Sequence, residues 1–292
     1  MVDYKREGND IYIIKRDNTE GESDTRDKFD INKIILSGQI FRYFEQDDGY
    51  VVLSKDYKVV YKPQKNSEYI ILSTNNPDYF IKYFDLNKNY DIINCRYADN
   101  AAVKAAIEYS DGIRLLNQDR FETVISFIIS ANNNIPRIKK IIERLCEAAG
   151  RKIDGMHAFP TAYEMRDLNA DFYKKIGAGY RADYLEETIR AINDGFDLDA
   201  IEKMDTPSAH KYIMRLKGVG PKVADCILLF AYGKGDVFPV DTWIKKSAEK
   251  YFGITGGDTT RIRRELISLF GEDSGIIQQY IYYYMRDNKL TV

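Results

Sequence analysis

Cysteine, histidine and tryptophan are scarce in this chain of 292 residues: three, two and one. The cysteines, Cys95, Cys146 and Cys226, are odd in number and far apart. They exclude a disulfide-stapled scaffold and fit a reducing compartment. They are too few for a four-cysteine iron–sulfur cluster. With His157 and His210 they form no spaced zinc motif. No uninterrupted apolar run approaches the roughly 18 residues of a membrane span, so none is expected. Residues 1–30 hold no apolar segment ahead of a small-residue cleavage site, and no secretory signal is read there. An excess of positive charge is missing too. Lys+Arg number 43 against 45 Asp+Glu, a net charge of −2, and neither half is a basic domain. A contact with an anionic polymer would have to come from a local patch or from backbone amides.

What is present is ordinary for a soluble globular chain, 44% hydrophobic and 30% charged. The length suggests two domains. Residues 31–73 read as a β-meander. Aromatic and β-branched runs there are broken at Asp47-Asp48-Gly49, at Ser54-Lys55-Asp56 and around Pro63–Ser67. Helices over 79–90 and 100–111 are expected to cover it. From about 117 the period becomes helical, with Phe121, Val124, Ile125, Ile128 and Ile129 on one stripe. An Asn cap ahead of Pro136, a stop at Gly150, a Thr206-Pro207 start and a helix entered at Asp241 follow. The expected class is α+β: an antiparallel sheet domain with covering helices over 1–116 and an all-α domain over 117–292.

The densest signal is "LKGVGPKVADCI", residues 216–227. Leu216, Val219, Val223 and Ile227 are spaced to let two helices pack at a sharp angle. Gly218 and Gly220 flank the turn, where glycine allows positive φ and close backbone approach. Such a helix-hairpin-helix presents amides at a helix start, where the dipole favours an anion. It can therefore hold a nucleic-acid phosphate without net basic charge. Taken singly, its neighbours have plain structural explanations. Lys222 reads as a solvated side chain or phosphate partner, and Asp241 as a helix cap.

Taken in order, hairpin, Lys222, helix and Pro239-Val240-Asp241 resemble the helix-hairpin-helix/Gly-Pro-Asp superfamily of DNA base-excision glycosylases. Four blocks, the hairpin among them, are similar to the eukaryotic-type 8-oxoguanine DNA glycosylase/AP lyase family. They are "LSGQIFRY" (36–43), the block from Gly112 to Cys146 with its triple Asn132-Asn133-Asn134, "GAGYRADYL" (177–185) and "GVGPKVADCI". This resemblance implies a TATA-binding-protein-like sheet domain joined to a helical catalytic domain. It implies a bifunctional enzyme that excises 8-oxoguanine from duplex DNA. Lys222 would be the Schiff-base nucleophile, and Asp241 would stabilise the sugar cation.

The same resemblance assigns the remaining site. The Gly38 carbonyl would accept from N7–H of the oxidised base, a proton guanine lacks. Gln278 would read the Watson–Crick edge, and Cys226 and Tyr282 would sandwich the flipped ring. Asn132 and Tyr180 would fill and wedge the vacated stack, while Arg137 and Arg181 would bond the estranged cytosine. Gly218 and Gly220 would meet the backbone phosphate. Carbonyls of Met214, Leu216 and Val219 would hold a structural cation, with no cofactor required for the chemistry. This chain departs from the family pattern at Trp243, where members carry a histidine near a phosphate of the lesion. It departs also at Tyr282, usually phenylalanine, and at Pro136, usually a small residue. Double-stranded DNA is the expected partner, with no membrane and a monomeric state. Localisation would be cytoplasmic and nucleoid-associated in a prokaryote, nuclear in a eukaryote. Three alternatives stay open: a glycosylase for another damaged base on this scaffold, an endonuclease III type, and a non-catalytic hairpin module that binds DNA. Lys222 weighs against an alkylbase enzyme, and the lack of cysteine after Cys226 against the iron–sulfur type.

Overall fold

A computed structural model describes residues 1–15, 27–256 and 258–288. Two strands to which no structure was assigned from sequence open it: β1 (Tyr4–Glu7) and β2 (Asp10–Ile14). Residues 31–36, expected as strand, instead form α1 (Ile31–Leu36). Asp30 caps it by accepting from the Lys33 N–H at 3.1 Å, and Ile31, Ile34 and Ile35 are buried. That spacing is a helical stripe, so cap and burial override the β preference of isoleucine. The meander follows as β3 (Tyr43–Gln46), β4 (Gly49–Ser54), β5 (Tyr57–Tyr61) and β6 (Tyr69–Thr74), with breaks where the sequence placed them. The sheet order is β1-β2-β6-β5-β4-β3. β2 pairs antiparallel with β6, setting Ile11 against Leu72 and Ile13 against Ile70 on the buried face. Next come α2 (Pro77–Tyr83), α3 (Asp91–Arg96) and α4 (Lys104–Ser110). The helix expected over 79–90 ends at Tyr83, and Asp85 takes φ +51° beyond it.

The helical part runs α5 (Arg120–Ser130), α6 (Ile135–Ala149), a two-residue hairpin β7 (Lys152–Ile153) and β8 (Met156–His157), α7 (Ala170–Ile176), α8 (Ala182–Asn193), α9 (Thr206–Ile213) and α10 (Pro221–Tyr232). It closes with α11 (Thr242–Phe252), α12 (Thr259–Phe270) and α13 (Ser274–Asp287). Asn134 caps α6 and Asp241 caps α11, as the sequence suggested. For α9 the cap is Asp205, one residue before Thr206, accepting from the Ser208 N–H at 2.7 Å.

The chain packs into two compact units that cut across the division at 116/117. One comprises 1–52, 58–117 and 235–292; the other comprises 53–57 and 118–234. The C-terminal helices thus group with the sheet, because α13 packs along α4. Tyr109 and Tyr283 rings lie 5.4 Å apart, and Ser110 Oγ donates to the Tyr280 carbonyl at 3.3 Å. In this unit buried Arg114 pairs with Asp27 at 2.7 Å and covers the Tyr90 ring at 4.3 Å. The core of the other unit is marked by Phe127 of α5 stacked on Phe230 of α10, 5.6 Å apart at 17°.

Candidate active site

In the unit holding residues 118–234, α9, a turn and α10 form the expected hairpin. Leu216, Val219, Val223 and Ile227 are all buried. The two glycines serve different ends. Gly218 has φ +82°, and a Cβ there would lie 2.8 Å from Cδ2 of Tyr184 on α8. The Lys217 carbonyl accepts from Thr188 Oγ1 at 2.9 Å, also on α8. Gly218 is therefore the seat of the hairpin. Gly220 has an ordinary φ of −87° and caps α10 with no side chain. A Cβ there meets no described atom within 4 Å, so the space beside the start of α10 is open. His210 on α9 ties the two helices: its Nε2 lies 3.3 Å from the Pro221 carbonyl and 3.3 Å from Oδ1 of buried Asp225. Neither His210 nor Asp225 was singled out by spacing.

Lys222, in the first turn of α10, is half-buried, with Nζ 5.7 Å from the centroid of Phe127. Cys226 stands one turn later on the same face, buried and in no disulfide. Of the carbonyls expected around a cation, that of Leu216 accepts from the Val219 N–H at 3.2 Å. Among the described residues no group of three or more His, Cys, Asp and Glu side chains is placed to hold a metal.

The residues expected at the vacated stack converge in the same unit, on the turn between α5 and α6. Asn132 sits at its tip, exposed, with φ +48°. Tyr180 is 53% exposed, and its hydroxyl donates to the Ala131 carbonyl at 3.3 Å. Arg137 is exposed and donates to the Gly177 carbonyl at 3.1 Å. Arg181 is only 2% exposed, so it is no solvated charge. Its Nε donates to the Ala131 carbonyl at 2.8 Å, Nη2 to the Asn132 carbonyl at 2.8 Å, and Nη1 to the Ala178 carbonyl at 3.2 Å. Burial lowers its pKa from the ordinary arginine value. In this conformation Arg181 braces the loop that carries Asn132, a job its sequence position did not reveal.

Gly38, Gln278, Tyr282, Asp241 and Trp243 belong to the other unit. Gly38 follows α1 with φ +84°, and a Cβ there would lie 3.1 Å from Tyr282 Cε1 and 3.0 Å from Arg286 Nη1. Gln278 and Tyr282 are one turn apart on α13 and share a face. Gln278 is 5% exposed, and its buried Oε1 meets no hydrogen-bond partner among the described residues. A buried amide oxygen left so is costly in a structural residue and is the pattern expected of one kept for a ligand. Asp241 is half-buried, and its Oδ1 accepts from the Ile244 N–H at 2.9 Å, holding the carboxylate at the positive end of α11. Trp243, the second residue of α11, packs under Lys246, whose Nζ is 5.5 Å from its ring. A separate cavity of about 300 Å³ lies in the helical unit, lined by Lys55, Asp119, Phe121, Arg151 and Phe159 among others. None of the expected site residues lines it.

Sheet, hairpin and capped aspartate together define a class of DNA-repair proteins. Residues 125–272 match the HhH-GPD superfamily base excision DNA repair protein, and residues 23–124 match the 8-oxoguanine DNA glycosylase N-terminal domain. The chain belongs to the HhH-GPD superfamily. More particularly, it is 31% identical over 235 residues to the "Probable N-glycosylase/DNA lyase" of Methanothermobacter thermautotrophicus, covering 71% of this chain and 72% of that protein. The Clostridium acetobutylicum 8-oxoguanine glycosylase/lyase, in complex with double-stranded DNA containing cytosine opposite to 8-oxoG, is 32% identical with a TM-score of 0.88 over 99% of both chains. MBOgg1 in complex with a low-affinity DNA ligand is 31% identical, with a TM-score of 0.89 over 99% of this chain and all of that one.

Proposed function

We propose that this protein is a bifunctional DNA glycosylase/AP lyase that excises 8-oxoguanine from duplex DNA. The observation that carries the reading is Lys222. A solvated phosphate ligand would reach outward, whereas this side chain is half-buried against Phe127 at the amide end of α10. Family membership and the structural likeness to an 8-oxoguanine glycosylase/lyase over the whole chain support the substrate.

The lesion must leave the stack before its sugar can be reached, at a cost of roughly a few kcal/mol. Tyr180 and Asn132 fill the gap in this reading, with Arg137 toward the opposite base and Arg181 reaching it only by releasing the Ala131 and Asn132 carbonyls. Gly38, Gln278, Cys226 and Tyr282 receive the flipped base. The neutral Lys222 amine then attacks C1′. The glycosidic bond breaks, its electron pair leaves with the base, and the base takes up a proton. The positive charge developing on the sugar is stabilised by the Asp241 carboxylate. Loss of the amine proton and opening of the C1′–O4′ bond give the imine. Removal of a C2′ proton expels the 3′ phosphate, and water returns the lysine. Only side chains and water take part. The first amides of α10, after Gly220, hold a phosphate, and the carbonyls of Met214, Leu216 and Val219 would hold a cation that would stiffen the turn.

Borohydride trapping on a duplex with a single 8-oxoguanine, opposite each of the four bases, tests this. Wild type should give a covalent adduct that Lys222→Gln lacks, while Lys222→Gln still binds the duplex. Strand cleavage persisting in Lys222→Gln sinks the nucleophile assignment. The opposite-base pattern reads whether Arg137 and Arg181 select cytosine.

A further inference from the structure

The turn that carries Gly38 is held from two sides. Arg286, near the end of α13, donates from Nη2 to the Leu36 carbonyl at 2.6 Å. Gln279, buried on the same helix, donates from Nε2 to the Ser37 carbonyl at 2.9 Å. On the far side the Gln39 amide group spans the chain at 114–116, donating to the Arg114 carbonyl at 2.9 Å and accepting from the Leu116 N–H at 2.9 Å. The carbonyls just before Gly38 are thus both engaged from α13, and the side chain just after it is locked. The peptide between them has little freedom to turn.

Arg286 does a second thing. Its guanidinium lies 5.6 Å from the Tyr282 ring centroid and 5.3 Å from that of Tyr283, and it hydrogen-bonds the Tyr282 side chain. Asp287 Oδ1 accepts from its Nε at 2.9 Å and its Nη2 at 2.7 Å, fixing the plane of the fork. Phenylalanine at position 282 could not accept such a bond. The departure from the family pattern at Tyr282 therefore comes with a partner one turn along α13.

We propose that Arg286 is a positioning residue for base discrimination, fixing at once the Gly38 carbonyl that accepts from N7–H of the oxidised base and the Tyr282 ring that stacks on it. This rests on the reading of Gly38 and Tyr282 as the base pocket. Normal guanine offers a lone pair at N7 instead of a proton, so a rigid carbonyl there repels it. A carbonyl that can rotate loses the attraction and the repulsion together. The proposed chemistry at the sugar gives Arg286 no part, so the lyase step on a sugar without a base should not depend on it.

Single-turnover rates on duplexes carrying 8-oxoguanine, guanine or a preformed abasic site separate these effects. Arg286→Met keeps the apolar stem and removes the fork. In it, 8-oxoguanine release should slow by about tenfold or more, as expected for loss of one charge-assisted hydrogen bond. The preference over guanine should fall with it, and abasic-site cleavage should stay within about twofold. Arg286→Lys, which can still donate to the Leu36 carbonyl, should recover part of the rate. Unchanged release and preference in Arg286→Met overturn the proposal, as does an equal fall in abasic-site cleavage, which marks a general structural loss. A wild-type protein that cleaves abasic sites but leaves 8-oxoguanine in place instead sinks the base-pocket reading itself.

Discussion

Two glycines two residues apart should respond to the same substitution in opposite ways. At Gly218 alanine must hold φ +82°, which costs about 1–2 kcal/mol in the left-handed region. Its methyl would also stand 2.8 Å from Cδ2 and 2.9 Å from Cβ of Tyr184, too near for the Tyr184 side chain to stay in place. Displacing that ring adds roughly 1–3 kcal/mol, so Gly218→Ala should lose on the order of 3 kcal/mol. At Gly220 the φ of −87° suits alanine, and the methyl meets no described atom within 4 Å. The poorer helix cap costs up to about 1 kcal/mol and the stiffer unfolded chain returns a similar amount, leaving stability unchanged within roughly 0.5 kcal/mol. The methyl would enter the open space beside the start of α10, where the proposed phosphate would sit. A phosphate held there loses one or two charge-assisted hydrogen bonds, each about 1.5–3 kcal/mol, so DNA affinity should fall about tenfold or more. Urea unfolding gives the stability, and anisotropy on an undamaged labelled duplex gives the affinity. Equal destabilisation of both variants would refute the division of labour. So would a stable Gly220→Ala that binds DNA as wild type does.

Asp241→Asn should keep the fold, since asparagine caps a helix as well as aspartate, while base excision falls by orders of magnitude. An unfolded variant measured by circular dichroism would leave Asp241 as a cap alone. Gln278→Leu removes the buried, unbonded Oε1 and should unfold no more easily than wild type, or up to about 1 kcal/mol less easily. Its 8-oxoguanine release should drop while abasic-site cleavage persists. A marked loss of stability would show that Gln278 is a structural residue.

The helical half was legible because its signals are local. Asn134 and Asp241 cap within three residues, and the Val124/Ile125/Ile128/Ile129 stripe repeats at helical spacing. The hairpin too is written in adjacent residues. The misses have physical reasons. β1 reads Tyr-Lys-Arg-Glu, a mostly exposed strand with no apolar alternation to betray it. α1 is six residues long and rich in isoleucine, so propensity pointed to strand, and only Asp30 as a cap pointed the other way. Arg181 reads from sequence as a charged surface residue. Its buried bracing of Ala131 and Asn132 depends on carbonyls some fifty residues earlier, which no window contains. Arg286 is likewise defined by Leu36, at the other end of the chain. The same is true of the grouping of residues 235–292 with the sheet: it follows from α13 meeting α4, a long-range contact.

That grouping sets an order of events during synthesis. The unit made of 53–57 and 118–234, with the hairpin, Lys222 and the loop at Asn132, has left the peptidyl-transferase centre before any of 235–292 is made. The unit with the sheet must wait for its last segment, for several seconds at about 5–20 residues per second. Asp241, Gln278 and Tyr282 all lie in that last segment. A nascent or prematurely ended chain would therefore carry the turn proposed to hold a phosphate without the carboxylate proposed for the sugar or the amide proposed for the base. The order of the chain puts the turn and the lysine of the proposed site ahead of its carboxylate and its base pocket.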